Sequence, residues 1–596
     1  MEVAEQSLAS QKSTGQTLES QKSLWHHAKE VWGWLAIGCV GSFELASVLL
    51  TGWPRGLIPN FSLPYTYRGD GLAILWLIRR TMEGWVFDNP RSGFPFGSNF
   101  LDYPGSDAAN FALFKLLGWL THSPFAAFDL FLLLSFPAVF AVTMVAFRSF
   151  GLRDCWSFVG AMLFTFAPFH FARFFMGHDL YLWYMCVPLF VHYGRNLFMY
   201  GQSHADLSRP RNLLSAVCGV VIVSCFGVYY AFFGLIVVCI SGAVGAFRTK
   251  RWRPIWNAIL LSLAVGVVVI TNLAPNIVYR AHEGANPEVA ARLAWESEWY
   301  SLKTIHLLLP QPEHRITALG EFTRNYDSTF PLSNTNSSLG IIGVMGFVAL
   351  LISAVAALAG KRVSPNFGFA SIITLSILLV STVGGFNVIF ALLVSPLIRG
   401  WDRISIFINC TALLAAMFLL QRFTGSMRRH ALAITSALVL TIGILDQTPK
   451  SFRGLTDYAF AKATVDRAFI RQIEATMPAG AAVYDLPYIA FPESAPLNRL
   501  EVYELGTGFI NSDHLRWSFG GMAGRQGDRF FRELSKHPIQ DQLSEVRRLG
   551  FSGIYIDRRG FADNGTEVEK ELAQALGHGP ALVRSDGVAS FFDIRK

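Results

Sequence analysis

Charge is what this chain of 596 residues has least of: Asp, Glu, Lys and Arg together make up 15% of it. Soluble domains carry about 25%, so a string of three or four soluble domains is excluded. Fifty Phe, seventeen Tyr and fifteen Trp exclude disorder over most of the chain. The seven cysteines, at 39, 155, 186, 218, 225, 239 and 410, form no CxxC pair and lie in or beside apolar segments. Neither a disulfide framework nor a zinc site follows from such spacing. The chain also lacks a Walker loop, GxSxG, GxGxxG and HExxH. A primary ATP-driven pump is disfavoured on that ground. No internal repeat or low-complexity tract is visible. No basic run is interleaved with aromatics, so nucleic acid is not an expected partner. The first thirty residues are polar, with no apolar core of a signal peptide before the first span. The expectation is an uncleaved anchor.

What the chain has instead is apolar sequence, 52% of its residues, with a mean hydropathy of +0.36. This is the composition of a polytopic membrane protein. Eleven segments are long and apolar enough to read as spans: 31–50, 125–147, 156–173, 181–200, 213–228, 230–247, 255–274, 339–359, 367–384, 404–421 and 429–446. The stretch 213–247 is broken at Gly227-Val228-Tyr229-Tyr230 and reads as one span or two. With a cytoplasmic N-terminus and eleven spans, loops 148–154, 201–211, 248–253, 361–362 and 422–429 fall inside, rich in Lys and Arg. That satisfies the positive-inside rule. Counting one span would put Arg248, Lys250, Arg251 and Arg253 outside, so two are preferred. The net charge of +8 is first a topology signal.

The expected organisation is a cytoplasmic tail 1–30, a transmembrane domain 31–446 and an outer region 447–596. Large outer loops cover 51–124 and 275–338, and the short connections 176–180 and 385–403 join them on the same face. The C-terminal region reads as a small α/β domain. Strand-like pieces occur at 481–486, 553–557, 581–584 and 589–594, the last two split by Ser585-Asp586-Gly587. Helical pieces occur at 540–549 and 568–576, the second ended by Gly577.

The unusual polar residues converge on the outer face. Tyr67-Arg68-Gly69-Asp70-Gly71 precedes a short apolar helix, 72–80, expected to lie along the membrane surface. Asp70 reads either as a cap or as a base kept ionised at a helix N-terminus. Phe94 to Asp107 is dense in Gly, Pro, aromatics and acids, the composition of a sugar-binding wall. Asp102 and Asp107 read there as carboxylates that meet sugar hydroxyls or as turn formers. Arg173, His178 and Asp179 stand at a span boundary, where charge is costly unless used or paired. Arg173 and His178 are candidates for an anionic head group, or Arg173 simply snorkels. Arg399-Gly400-Trp401-Asp402-Arg403 puts two arginines at the outer end of a span, against the topology bias, and reads as a phosphate clamp. His282-Glu283 and Glu313-His314 are the candidates for a divalent metal, whose requirement the sequence leaves open.

On these residues the chain resembles the GT-C superfamily of membrane glycosyltransferases, in particular the bacterial YfhO-like proteins. The marks are the acid in the first outer loop, the Gly177-His178-Asp179-Leu180 turn followed by Pro188-Leu189, Arg399-Gly400-Trp401-Asp402-Arg403, and Tyr484-Asp485-Leu486-Pro487. The resemblance implies a polyprenyl-phosphate-linked sugar as donor and inverting transfer to an envelope glycan or lipid on the outer face of a bacterial inner membrane. Asp70 would then be the general base. Arg399 and Arg403, with His178 and Arg173, would hold the donor phosphate. The family often pairs two acids in this loop. Here Gly71 follows Asp70, so the second acid is sought in Asp102, Asp107 or Asp179. The alternative is a translocase for lipid-linked sugars in surface polysaccharide synthesis. It would place charges at mid-membrane and repeat its halves, neither of which this sequence does.

Overall fold

The computed structural model describes residues 31–105, 107–200, 210–329 and 337–595. The tail 1–30, most of the loop 201–211 and Asn334-Thr335-Asn336 lie outside them.

All eleven expected segments contain helix, and eight of the described helices are long and apolar enough to cross a membrane: Val31–Thr51, Pro124–Ser149, Asp154–Phe175, Val228–Thr249, Arg253–Glu283, Gly340–Leu358, Trp401–Phe423 and Arg429–Gln447. The chain is a multi-pass membrane protein. The remaining three are shorter. Pro210–Cys225 and Pro365–Ser381 have 16 and 17 residues. The segment expected from 181 begins as the tight turn Asp179–Leu182 and becomes helical only over Cys186–Phe198. The expected span 156–173 is interrupted, because Pro168 cannot donate to the preceding turn; it divides into Asp154–Thr165 and Pro168–Phe175. Arg253–Glu283 runs well past its expected end at 274, carrying Pro275 within it. At 1.5 Å per residue its 31 residues reach roughly 46 Å, beyond a hydrocarbon core of about 30 Å.

The loop 51–124 holds more helix than its sequence announces. Asp70–Glu83 is followed by a two-stranded pair, β1 (Asp88–Asn89) and β2 (Ser98–Asn99), and then by the apolar helix Ala108–Thr121. Asp70–Glu83 is covered by the protein on more than one side. Leu72, Leu75, Trp76 and Ile78 are buried on different sides of it. Trp76 packs on Phe491 and Phe509 from the C-terminal region.

That region begins with a helix the sequence reading missed, Arg453–Thr476, whose mixed charges hide its apolar stripe Ala459, Ala463, Phe469, Ile470 and Ile473. It leads to a five-stranded sheet ordered β4 (Arg516–Trp517), β3 (Ala482–Leu486), β5 (Phe551–Asp557), β7 (Ala589–Asp593), β6 (Leu582–Val583). The strands β4, β3 and β5 run parallel, while β7 is antiparallel to β5 and β6. All five residues of β3 are buried because both faces are covered. Tyr484, Ile554 and Ile556 meet Leu543, Val546 and Leu572 of the outer helices. Val483, Tyr555 and Phe591 face the other way, into the core shared with Phe469 and the membrane helices.

The sheet is bound to the first loop by its backbone. Gly93 and Phe94 N–H groups donate to Phe519 and Trp517 carbonyls, both at 2.9 Å, and Trp517 N–H donates to Arg91 at 2.7 Å. The Arg91 side chain adds bonds to the Ser512 and Leu515 carbonyls. One apolar core therefore runs from the bundle into the sheet.

Candidate active site

A cavity of about 1010 Å³ lies between the bundle and the C-terminal region. Its walls come from the start of Asp70–Glu83, the 176–181 turn, Tyr229, the 395–403 segment and the 491–503 loop.

Asp70 is the first residue of its helix, behind Gly69 at φ 48°. The carboxylate is half-exposed to the cavity, at 49%. Gly177, at φ 71°, lets the following turn close on it. A Cβ there would come within 2.6 Å of the Gly71 nitrogen. His178 Nε2 thereby stands 3.4 Å from Asp70 Oδ2. On its other side His178 Nδ1 faces Arg173 Nη1, also at 3.4 Å. A guanidinium only donates, so Nδ1 is the acceptor and the ring proton belongs on Nε2, pointing at Asp70. His178 is a neutral donor to the carboxylate. Its burial, with Arg403 and Arg173 nearby, pushes its pKa below the usual imidazole value, against the opposing pull of Asp70.

Arg173 does not reach the cavity. It is fully buried and its Nη2 donates to Asp402 Oδ2 at 3.0 Å. The expected phosphate ligand is thus a tie between two walls. Burying a charge so completely is tolerable because its partner is buried with it. The tight turn Trp401–Ile404 sends Asp402 back to that tie and Arg403 forward. The Arg403 guanidinium lies over the Tyr181 ring at 4.2 Å and the Tyr229 ring at 4.5 Å. It makes no ion pair across the cavity among the described residues, and its Nε has no hydrogen-bond partner. The Tyr229 hydroxyl accepts from the Arg399 and Gly400 N–H groups at 3.3 and 3.4 Å, which fixes the turn against the ring. Arg399 lines the cavity too, but its guanidinium is paired with Glu296.

The second-acid candidates separate. Asp102 is taken by Arg525 in a bidentate pair at 2.6 and 2.7 Å and by Asn286 at 3.0 Å, away from the cavity wall. Asp107 and Asp179 line the cavity. Burial raises the Asp107 carboxyl to about 6, moderated by a bond from Asn110. Asp179 is fully buried with neither oxygen hydrogen-bonded, and burial together with Asp70 raises its pKa well above the carboxylate range.

Of the metal candidates, His314 is used on both ring nitrogens, by Asp446 at 3.3 Å and by the Ile316 N–H at 3.0 Å. His282 and Glu283 are exposed at the end of their helix. Among the described residues no three His, Cys, Asp or Glu side chains converge as a ligand set. The sequence reading missed Tyr181, Tyr229, Arg292, Glu493, Glu501 and Tyr503 as cavity residues. Only Tyr229 carried a signal, in the break of an apolar stretch.

The fold that holds this site is shared with solved membrane proteins of the GT-C type. The crystal structure of ArnT from Cupriavidus metallidurans in the apo state superposes with a TM-score of 0.51 at 13% identity, covering 94% of this chain and 98% of that one. The same protein bound to undecaprenyl phosphate superposes at 0.48, with the same identity and coverage. The apo Archaeoglobus fulgidus oligosaccharyltransferase gives 0.47 at 12% identity, covering 92% of this chain and 71% of its own. No protein-family model matches the chain, and no curated protein matches it in sequence.

Proposed function

We propose that the chain is an inverting membrane glycosyltransferase that moves a sugar from a polyprenyl-phosphate donor to a hydroxyl acceptor. The observation that carries this reading is a half-exposed carboxylate, Asp70, sharing one cavity with an unpaired arginine, Arg403. An alcohol attacking an anomeric carbon needs a base on one side and charge relief on the leaving phosphate at the other. Asp70 takes the acceptor proton as the acceptor oxygen bonds the anomeric carbon. The bond from that carbon to the phosphate oxygen breaks, its electron pair leaves with the phosphate, and Arg403 neutralises it, with Arg399 at the rim. Direct displacement inverts the anomeric centre. His178 orients Asp70 through its Nε2, 3.4 Å from Asp70 Oδ2. No step is assigned to a metal.

The apolar residues Val228, Leu273, Leu397 and Ile398 on the bundle side of the wall suit a polyprenyl tail. The setting we assign is glycan synthesis at a bacterial inner membrane, with the N-terminus cytoplasmic and the sheet periplasmic, as the YfhO-like marks and the basic inner loops imply.

The test is transfer from a panel of radiolabelled polyprenyl-phosphate sugars by purified protein in lipid nanodiscs. The expected result is turnover with at least one donor, lowered at least about 100-fold in Asp70→Asn with donor binding kept. Passage of lipid-linked sugar across liposomes with no transfer from any donor would replace this reading by a translocase.

A further inference from the structure

Between the apolar helix Pro365–Ser381 and the span Trp401–Phe423, the chain carries no charged residue from Val383 to Ile398. The middle of this connection is the short helix Phe386–Leu393. Its two sides differ. On one, Asn387 is buried and donates to the Ser297 carbonyl at 3.0 Å, while Phe390 packs on Phe232 at 4.9 Å and on Trp401 at 5.8 Å. On the other, Phe386, Ile389, Leu392 and Leu393 share one helical face that the described residues leave exposed, Leu393 at 80%. Val394 and Leu397 prolong this ridge. A contiguous apolar ridge is a surface made to be covered.

Two further observations say what covers it. Pro365–Ser381 starts just after the exposed Lys361 and Arg362 and has 17 residues, roughly 26 Å at 1.5 Å per residue, short of a hydrocarbon core of about 30 Å. Its far end therefore stops inside the apolar layer, and the next residues begin there. Their backbone is paired, as that layer requires. The N–H groups of Thr382, Val383 and Gly385 donate to the carbonyls of Leu378, Leu302 and Thr382 at 3.1, 3.3 and 2.8 Å, and Gly384 N–H donates to Glu298 Oε1 at 2.8 Å. Past the helix, Val394 and Ser395 N–H both donate to the Phe390 carbonyl, at 2.8 and 3.1 Å.

We infer that Phe386–Leu393 lies immersed in the membrane leaflet on the side of the sheet, with lipid chains covering its ridge, and that it forms a lip over which a lipid chain passes sideways into the cavity. The ridge continues the exposed apolar surface of the spans. Leu397 belongs both to the ridge and to the cavity wall, which it shares with Leu273 of Arg253–Glu283. The cavity thus has an apolar rim at the depth of the ridge. The immersion stands on its own; the lip rests on the transferase reading above and concerns its lipid donor.

The experiment uses the full chain in lipid nanodiscs. A ketone-bearing amino acid replaces Ile389 or Leu393 and carries a nitroxide, so the native cysteines stay unlabelled. Lys570, exposed on the sheet, is replaced in the same way as the reference for water. Power-saturation electron paramagnetic resonance compares collisions with oxygen, which concentrates in lipid, and with a nickel chelate, which stays in water. We expect oxygen to dominate at Ile389 and Leu393, about 5–10 Å below the head groups, and nickel to dominate at Lys570. Nickel access at the two helix positions equal to that at Lys570 overturns the immersion. Access by neither collider overturns it too, since a second copy or another protein is then the cover. For the lip, the same donor sugar is offered on an undecaprenyl and on a geranyl chain. Leu392→Ser combined with Leu393→Ser should lower turnover of the long-chain donor about tenfold relative to the short one, through lost apolar contact. An unchanged ratio overturns the lip. No turnover of either donor by the wild type overturns the transferase reading, and the depth measurement still decides the immersion.

Discussion

Residues of one type do different work here, and their partners decide which. Arg403 and Arg399 stand four residues apart in one loop, yet only Arg403 lacks a carboxylate partner, and only it is held flat by two tyrosines. Arg403→Lys loses both the stacking and the planar fork, so it is not a conservative change. We expect the donor KM to rise about tenfold or more in Arg403→Lys, and less than about threefold in Arg399→Gln. Equal effects would mean that the two share the phosphate. Asp102 and Asp70 divide in the same way. Asp102→Asn breaks the pair with Arg525, which is worth about 2–3 kcal/mol as charged hydrogen bonds. It should lower the Tm while leaving kcat per folded molecule near wild type; a kcat loss matching that of Asp70→Asn would restore Asp102 as an acid. The sequence showed which residues are unusual, because charge at a span end is costly wherever it occurs. It could not show which charges cancel, because Asp402, Glu296 and Arg525 reach their partners from distant parts of the chain.

Local geometry at the level of elements makes the site. The Gly177-His178-Asp179 turn was legible as out of place between two apolar segments, but its reason is steric. Gly177→Ala adds a Cβ at 2.6 Å from the Gly71 nitrogen, at a φ that L-residues rarely adopt. We expect it to push His178 off Asp70 and to lower kcat about tenfold or more with donor affinity largely kept, whereas Gly266→Ala, with open space around its Cβ, should be silent. The strand β3 offers a test away from the site. Its Asp485 is buried, accepting from the Ser518 hydroxyl at 3.0 Å and the Phe519 N–H at 2.9 Å, and burial raises its carboxyl to about 7. A carboxyl raised in the folded state holds its proton there after the unfolded chain has lost it. Stability should therefore fall as pH rises from about 4 to about 7 and then level off. Asp485→Asn removes that loss and keeps an acceptor oxygen. Its Tm should exceed wild type at pH 8, by an amount equivalent to at most about 4 kcal/mol, and converge with wild type near pH 4. Equal Tm values across that range would show that the burial is not felt. The helices Ala108–Thr121 and Arg453–Thr476 escaped the sequence reading for opposite reasons. The first is short and apolar inside a turn-rich loop. The second is long, but its charges mask the stripe that packs under the sheet.

At the scale of the whole molecule, the membrane part was the most legible, since hydropathy reports directly on what a bilayer demands. The sheet was legible strand by strand. Its place was not, because its docking rests on backbone bonds from residues 91–94 to residues 517–519 and on one core continuous with the helices. The cavity exists only because these parts meet, so its outer wall, the 491–503 loop, could not be read from sequence. The central claim is that this junction holds a polyprenyl phosphate with its phosphate on Arg403 and its head group turned toward Asp70. Electron cryomicroscopy of the protein in nanodiscs with added polyprenyl phosphate tests it most directly. The account predicts phosphate density within hydrogen-bond distance of the Arg403 guanidinium, between Tyr181 and Tyr229, with the tail leaving past Leu397 and Val228. Phosphate density elsewhere in the cavity, or a lipid seated outside it while Arg403 stays bare, would contradict the account.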